Sequence, residues 1–121
     1  MKVMLVDDSN TMRRIQRNVL EKLGHSDITE AGDGKEALTV LDGTMVDLIL
    51  LDWNMPNMDG LTFLKTIRGV DKYKTIKVIM CTSESEKTKI IEAIKCGANS
   101  YVVKPFTPEI LQEKLKDLKL I

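Results

Sequence analysis

The sequence predicts a doubly wound α/β domain, a parallel sheet of five strands with helices on both faces. Three observations carry that prediction. Short apolar runs alternate along the chain with longer segments of helical spacing. The runs are apolar nearly throughout rather than at every second residue, as strands buried on both faces are. Glycines and a Thr-Pro pair stand at the boundaries, where helices stop and start. Strands and helices alternating so regularly build a three-layer (βα)5 sandwich.

The elements follow in order. Residues 3–6 form the first apolar run. Met12, Ile15, Val19 and Leu23 then step by three or four and share one helical face. Residues 28–31 read as the second strand, and Ala37, Leu38 and Leu41 mark a shorter helix entered through the turn GDGKE. A third run covers 46–51. Leu61, Leu64 and Ile67 mark the helix after it, and residues 76–81 the fourth strand. Ile90, Ile91 and Ile94 set a fourth helix, 101–103 a fifth strand, and Leu111, Leu115 and Leu118 a last helix. Gly24, Gly43, Gly69 and Gly97 each follow a helical pattern, where a left-handed terminating residue is wanted. Thr107-Pro108 is a helix start, a capping hydroxyl followed by a ring in the first turn.

Bulk properties exclude several classes. A chain of 121 residues, 43% hydrophobic and 30% charged, suits one compact domain spanning 1–121. Eighteen basic and eighteen acidic residues cancel, which leaves no electrostatic footprint for nucleic acid or an anionic membrane. No apolar run approaches the ~20 residues that span a bilayer. Only four apolar residues separate Lys2 from Asp7, too few for a signal peptide, so a cytoplasmic location is expected. Cys81 and Cys96 make neither a CxxC nor a metal-ligand spacing. Neither G-x-G-x-x-G nor G-x-x-x-x-G-K-[ST] occurs, against a nucleotide-binding role. The few residues after the fifth helix are too short for a DNA-binding output domain, so none is expected.

Residues 48–52, LILLD, thread a strand into the core and finish it with a carboxylate. Open parallel sheets bind ligands outside the carboxyl ends of their strands. The first strand delivers Asp7 and Asp8 there, the third Asp52, the fourth Thr82 and Ser83, the fifth Lys104 and Pro105. Each has a plainer reading alone: a capping turn, a satisfied loop acid, helix caps, a solvated lysine. Their joint arrival is the signal. Two carboxylates ~5 Å apart repel by roughly 3 kcal/mol at an effective dielectric of ~20. Lys104 is one charge against three acids, and Mg2+ is the natural remainder, since it favours oxygen ligands. Asp52 then reads as a nucleophile forming an aspartyl phosphate, with Lys104 and Thr82 on the phosphoryl oxygens and the Asn54 carbonyl on the metal. A haloacid-dehalogenase-type phosphatase would need a second carboxylate two residues after Asp52, and Asn54 cannot move protons.

The blocks VDDSNTMRR, DWNMPNMDG, CTSE and YVVKPF resemble the signatures of bacterial response-regulator receiver domains. The second and fourth are similar in particular to those of CheY-type, single-domain chemotaxis regulators. The resemblance runs from Lys2 to about Leu118. It implies a flavodoxin-like fold of strand order 2-1-3-4-5 and a cis Lys104-Pro105 bond. It implies Asp52 as phosphoacceptor, Mg2+ held by Asp7, Asp8 and the Asn54 carbonyl, Lys104 on the phosphoryl group, and Thr82 with Tyr101 as the switch pair. It also implies a two-component signalling protein rather than a turnover enzyme. As phosphoryl donor the resemblance implies a CheA-like histidine kinase or a small donor such as acetyl phosphate. It implies as output a FliM-like flagellar motor switch protein bound by a monomer, and leaves open whether a dedicated phosphatase is a further partner. The alternative role is a phosphorelay intermediate or phosphate sink. Asn54 and Glu84 match the family positions that flank hydrolytic water, which points to a short-lived phosphoryl state. Trp53, the sole tryptophan, adjoins Asp52 and should report ligand binding. His25 reads as a solvated turn residue, and Met12, Met55 and Met58 as packing near the site.

Overall fold

Strand β1 (Val3–Val6) pairs in parallel with both β2 (Ile28–Ala31) and β3 (Leu48–Asp52). Beyond β3 the sheet continues in parallel through β4 (Lys77–Thr82) to β5 (Ser100–Val103), in the order β2-β1-β3-β4-β5. The helices between and after them are α1 (Asn10–Lys22), α2 (Gly34–Gly43), α3 (Gly60–Arg68), α4 (Ile90–Lys95) and α5 (Pro108–Asp117), with a 3-10 turn at Asp71–Tyr73. The computed structural model describes residues 1–83 and 88–121. The order reverses between β1 and β3, the place beyond whose carboxyl ends doubly wound sheets bind ligands.

Each face of the sheet has its own core. Met4, Val6, Ile49, Leu51, Val78 and Met80 point one way, into α2, α3 and α4. Val3, Leu5, Leu48, Leu50, Ile79, Cys81 and Val102 point the other, into α1 and α5. β1 and β3 are buried along their whole length, which explains their unbroken apolar runs. No helix among the described residues is long and apolar enough to cross a membrane.

Three expectations need correction. The inward face of α1 is Gln16, Val19 and Leu20, with Ile15 39% exposed. A stripe drawn through large apolar residues misses Gln16, whose Oε1 is buried without a hydrogen-bond partner. On α4, Ile90 and Ala93 face the core, while Ile91 and Ile94 are 68% and 45% exposed. Small Ala93 takes the inward place, so two isoleucines are left on the surface. Of the four glycines only Gly24 (φ +89) and Gly97 (φ +111) are left-handed. Gly69 caps α3 in the right-handed region, and Gly43 stays within α2, which ends on Thr44.

Strand ends shift slightly for a hydrogen-bonding reason. Asp47 and Leu48 both donate backbone N–H groups to the Lys2 carbonyl, and the Asp47 carboxylate accepts the Lys2 N–H. β3 therefore begins at Leu48 rather than at 46, and β4 runs one residue later than expected. Thr107 caps α5 by accepting from the Ile110 N–H at 3.2 Å, and the Lys104–Pro105 bond is cis. At the opposite rim, Arg68 donates to the carbonyls of Gly97 (3.0 Å), Tyr73 (3.2 Å) and Ile76 (2.8 Å) and to Asn99 Oδ1 (3.0 Å). Burial lowers its pKa, and these partners are neutral oxygens.

Candidate functional site

Side-chain alternation decides which strand-end residues meet. Val3 and Leu5 face the core under α1 and α5, and Asp7 continues that series just past β1. Leu48 and Leu50 lead in the same way to Asp52, and Val102 to Lys104. One lysine and two acids from three strands thus emerge on one side of the sheet. The Lys104 N–H donates to the Thr82 carbonyl at 2.7 Å, which carries its side chain across the end of β4.

Lys104 Nζ donates to Asp52 Oδ1 at 2.8 Å and reaches Asp7 Oδ2 at 3.3 Å. Asp52 Oδ1 also accepts from the Trp53 N–H at 2.8 Å. Carboxylate oxygens of Asp7, Asp8 and Asp52 lie within 4.8 Å of one another, with Asp7 and Asp52 buried and Asp8 exposed. Burial pushes the Asp52 carboxyl above the usual range, and the Asp7 charge adds to this against the opposing pull of Lys104. Burial alone would lower Lys104, but its hydrogen bond and charge contact with Asp52, together with Asp7, hold it above the ordinary value. Lys104 is the one cation paired with these acids among the described residues.

The surroundings fix the two buried acids. Asp7 Oδ1 accepts from the Ser9 N–H at 2.9 Å, and Ser9, not either aspartate, caps α1 through the Met12 N–H. Arg13 donates to the Asp7 carbonyl and to Asn10, and is held by Glu30 at 2.8 Å, which Arg17 also engages at 2.7 Å. Behind Asp52, Gly60 donates to the Trp53 carbonyl at 2.9 Å. A Cβ on Gly60 would stand 2.0 Å from the Asp52 carbonyl oxygen, so only glycine lets α3 start there.

The remaining expected residues are placed as follows. Thr82 ends β4 fully buried, with its hydroxyl donating to the Ser83 carbonyl at 3.1 Å rather than toward the acids. Tyr101 pairs with Met80 and so shares the face of Met80 and Thr82, the α4 side, where it is half-buried with Lys114 Nζ 5.1 Å from its ring. Asn54 is exposed on the loop after β3. Glu84 lies outside the described residues. Trp53 is buried beside Asp52, with Lys89 Nζ 5.7 Å from its ring. Met55 and Met58 pack against the core, and His25, expected to be solvated, is half-buried in the turn after α1, where its backbone N–H donates to the Leu20 carbonyl at 2.9 Å. The roles of Gly60, Glu30 and the Asp33–Asn57 pair were not read from the sequence. The Asp59-Gly60 dipeptide could have flagged a close approach, and the others left no local signal.

Residues 3–116 match the family model described as response regulator receiver domain. The chain belongs to that family. A chemotaxis protein CheY homolog from Campylobacter jejuni is 49% identical over 119 residues, covering 98% of this chain and 92% of that protein. Chemotaxis protein CheY1 of Helicobacter pylori is 49% identical over 117 residues, covering 96% and 94%. Among solved structures, the chemotaxis response regulator CheY4 of Vibrio cholerae superposes with a TM-score of 0.86 at 37% identity, covering 97% of each chain. The Francisella response regulator 1452 receiver domain gives 0.83 at 33% identity, covering 97% and 94%. The receiver domain therefore has the flavodoxin-like fold with strand order 2-1-3-4-5.

The donor set of this receiver suits a hard divalent ion. Three carboxylates offer oxygens within 4.8 Å, one acid opens to solvent, and the cluster keeps an excess of negative charge beyond Lys104.

Proposed function

We propose that this receiver takes a phosphoryl group onto Asp52, with Mg2+ held by Asp7, Asp8, Asp52 and the Asn54 carbonyl, and signals by changing its affinity for a partner. The supporting observation is a buried Asp52 carboxylate 2.8 Å from the Lys104 ammonium and within 4.8 Å of two further acids. An Asp52 oxygen attacks phosphorus while the P–N bond of a phosphohistidine breaks and the imidazole nitrogen leaves with the bonding pair. With acetyl phosphate the broken bond is P–O and acetate leaves. The metal, when bound, neutralises the acids and polarises the phosphoryl oxygens. Lys104 then pairs with the added oxygens, which bring roughly −1.5 to −2 charges.

Propagation starts at Thr82. Its hydroxyl must leave the Ser83 carbonyl to reach a phosphoryl oxygen, which empties space on the face it shares with Tyr101. Tyr101 turns into that space, and the surface of α4, β5 and α5 changes shape. This surface carries the exposed apolar side chains Ile91 and Ile94 of α4 and Ile110 of α5, which a protein partner would cover. The names of the relatives favour a chemotaxis system. In that reading a CheA-like kinase is the donor and a FliM-like motor switch protein the target, and the protein acts in the cytoplasm as a monomer, with phosphorylation and dephosphorylation of itself as its only chemistry. Polar Asn54 and Glu84 orient water for hydrolysis and keep the signal brief.

Incubation with acetyl phosphate and Mg2+, followed by intact mass and peptide mapping, tests the reading. The expected product carries one phosphoryl group on Asp52, and Asp52→Asn carries none. Uptake without divalent metal, or at another residue, overturns it.

A further inference from the structure

We propose that Asn57 and Asp33, which lie outside the acidic cluster, are positioning residues for the metal: they latch the loop after Asp52 onto the start of α2. The inference rests on the reading of Asn54 as a carbonyl ligand. That loop, residues 53–59, is closed at its base, where Gly60 bonds Trp53 and packs directly on the Asp52 carbonyl. Its tip is held by a different element. Asn57 Nδ2 donates to Asp33 Oδ2 at 2.8 Å, and the Gly34 N–H donates to the Met58 carbonyl at 3.0 Å. The other oxygen of Asp33 caps α2 by accepting from the Glu36 N–H at 2.8 Å.

The contact is shaped on both sides. Asn57 sits at φ +65, a left-handed conformation that asparagine tolerates better than most residues. A Cβ on Gly34 would come within 2.7 Å of the Met58 side chain. Asp33 is held below the usual carboxylate range by its bonds from Glu36 and Asn57. Because α2 is itself seated in the core through Ala37 and Leu41, its first turn is a firm anchor. A loop tied at base and tip gives residue 54 one place relative to Asp52. Preorganising an oxygen ligand in this way strengthens metal binding without adding a contact to the metal.

The test is Mg2+ titration of the full chain by Trp53 fluorescence. Asn57→Asp keeps the left-handed backbone and sets a like charge against Asp33. An added negative charge alone would tighten cation binding, so weakening reports lost geometry. The expected loss is about fivefold, the worth of one hydrogen bond. Asn57→Gly weakens binding similarly with no added charge. The exchanged pair Asp33→Asn with Asn57→Asp restores the bond with donor and acceptor swapped and returns the dissociation constant to within about twofold of the parent. Tighter or unchanged binding in Asn57→Asp, or an exchanged pair that stays weak, overturns the latch. A parent protein with no response to Mg2+ removes the metal reading itself, a separate result.

Discussion

Lys104→Met isolates the charge balance on which the site depends. Lys104 Nζ stands 2.8 Å from Asp52 and 3.3 Å from Asp7, attractions of about 6 and 5 kcal/mol at an effective dielectric of ~20. Asp7 and Asp52 repel by at least about 3.5 kcal/mol on the same scale, their oxygens lying within 4.8 Å. Desolvation offsets most of the gross attraction. Deleting one partner of such a buried set nonetheless costs about 3–5 kcal/mol, because the stranded acids stay buried. Unfolding entropy of ~2.1 cal/mol/K per residue over 121 residues is about 0.25 kcal/mol/K. A loss of ~4 kcal/mol then lowers the melting temperature by roughly 16 °C in EDTA. Circular-dichroism melts with and without Mg2+ measure this. At tenfold its dissociation constant Mg2+ stabilises the parent by about 1.4 kcal/mol. The variant should gain more at the same concentration, since Lys104 is the one cation paired with these acids among the described residues. A variant melting within ~4 °C of the parent in EDTA, or gaining no more from Mg2+, would refute the argument.

Asp52→Asn should be more stable than the parent in metal-free buffer at neutral pH, since burial and the Asp7 charge oppose the ionised Asp52 carboxylate more than Lys104 favours it. The sign follows from proton linkage. With its folded pKa above the ordinary value, Asp52 binds more protons folded than unfolded, so parental stability falls as pH rises through that window. The Asn variant lacks that fall, and parallel stability curves across the window would contradict it. Gly60→Ala should lose at least about 2 kcal/mol in urea unfolding, because the added methyl meets backbone rather than a movable side chain. Tyr101→Ala should accept phosphate from acetyl phosphate at the parental rate yet bind a motor-switch peptide about tenfold more weakly. Equal affinity in a titration would remove its switch role.

Much of the fold was legible because periodicity is a local property. Runs such as 48–51 announce burial on both faces, and the topology rule then names the rim where ligands gather. Strand alternation even groups Asp7, Asp52 and Lys104 on one side. Helix faces were less legible. Gln16 and Ala93 hold inward positions on α1 and α4 that a search for large apolar residues passes over. Contacts between distant segments were not legible at all. The Asn57–Asp33 bond spans 24 residues and the Arg68–Gly97 bond 29, and neither has a period or motif that would announce it.

The pin formed by Arg68 has a mechanical consequence. Its guanidinium clasps the Gly97 carbonyl directly after α4, while the other end of that short helix points to the rim where Asp52 lies. A rod fastened at its foot swings at its head. A helix held this way is expected to tilt about Gly97 rather than slide, with the displacement smallest there and largest toward the acidic rim.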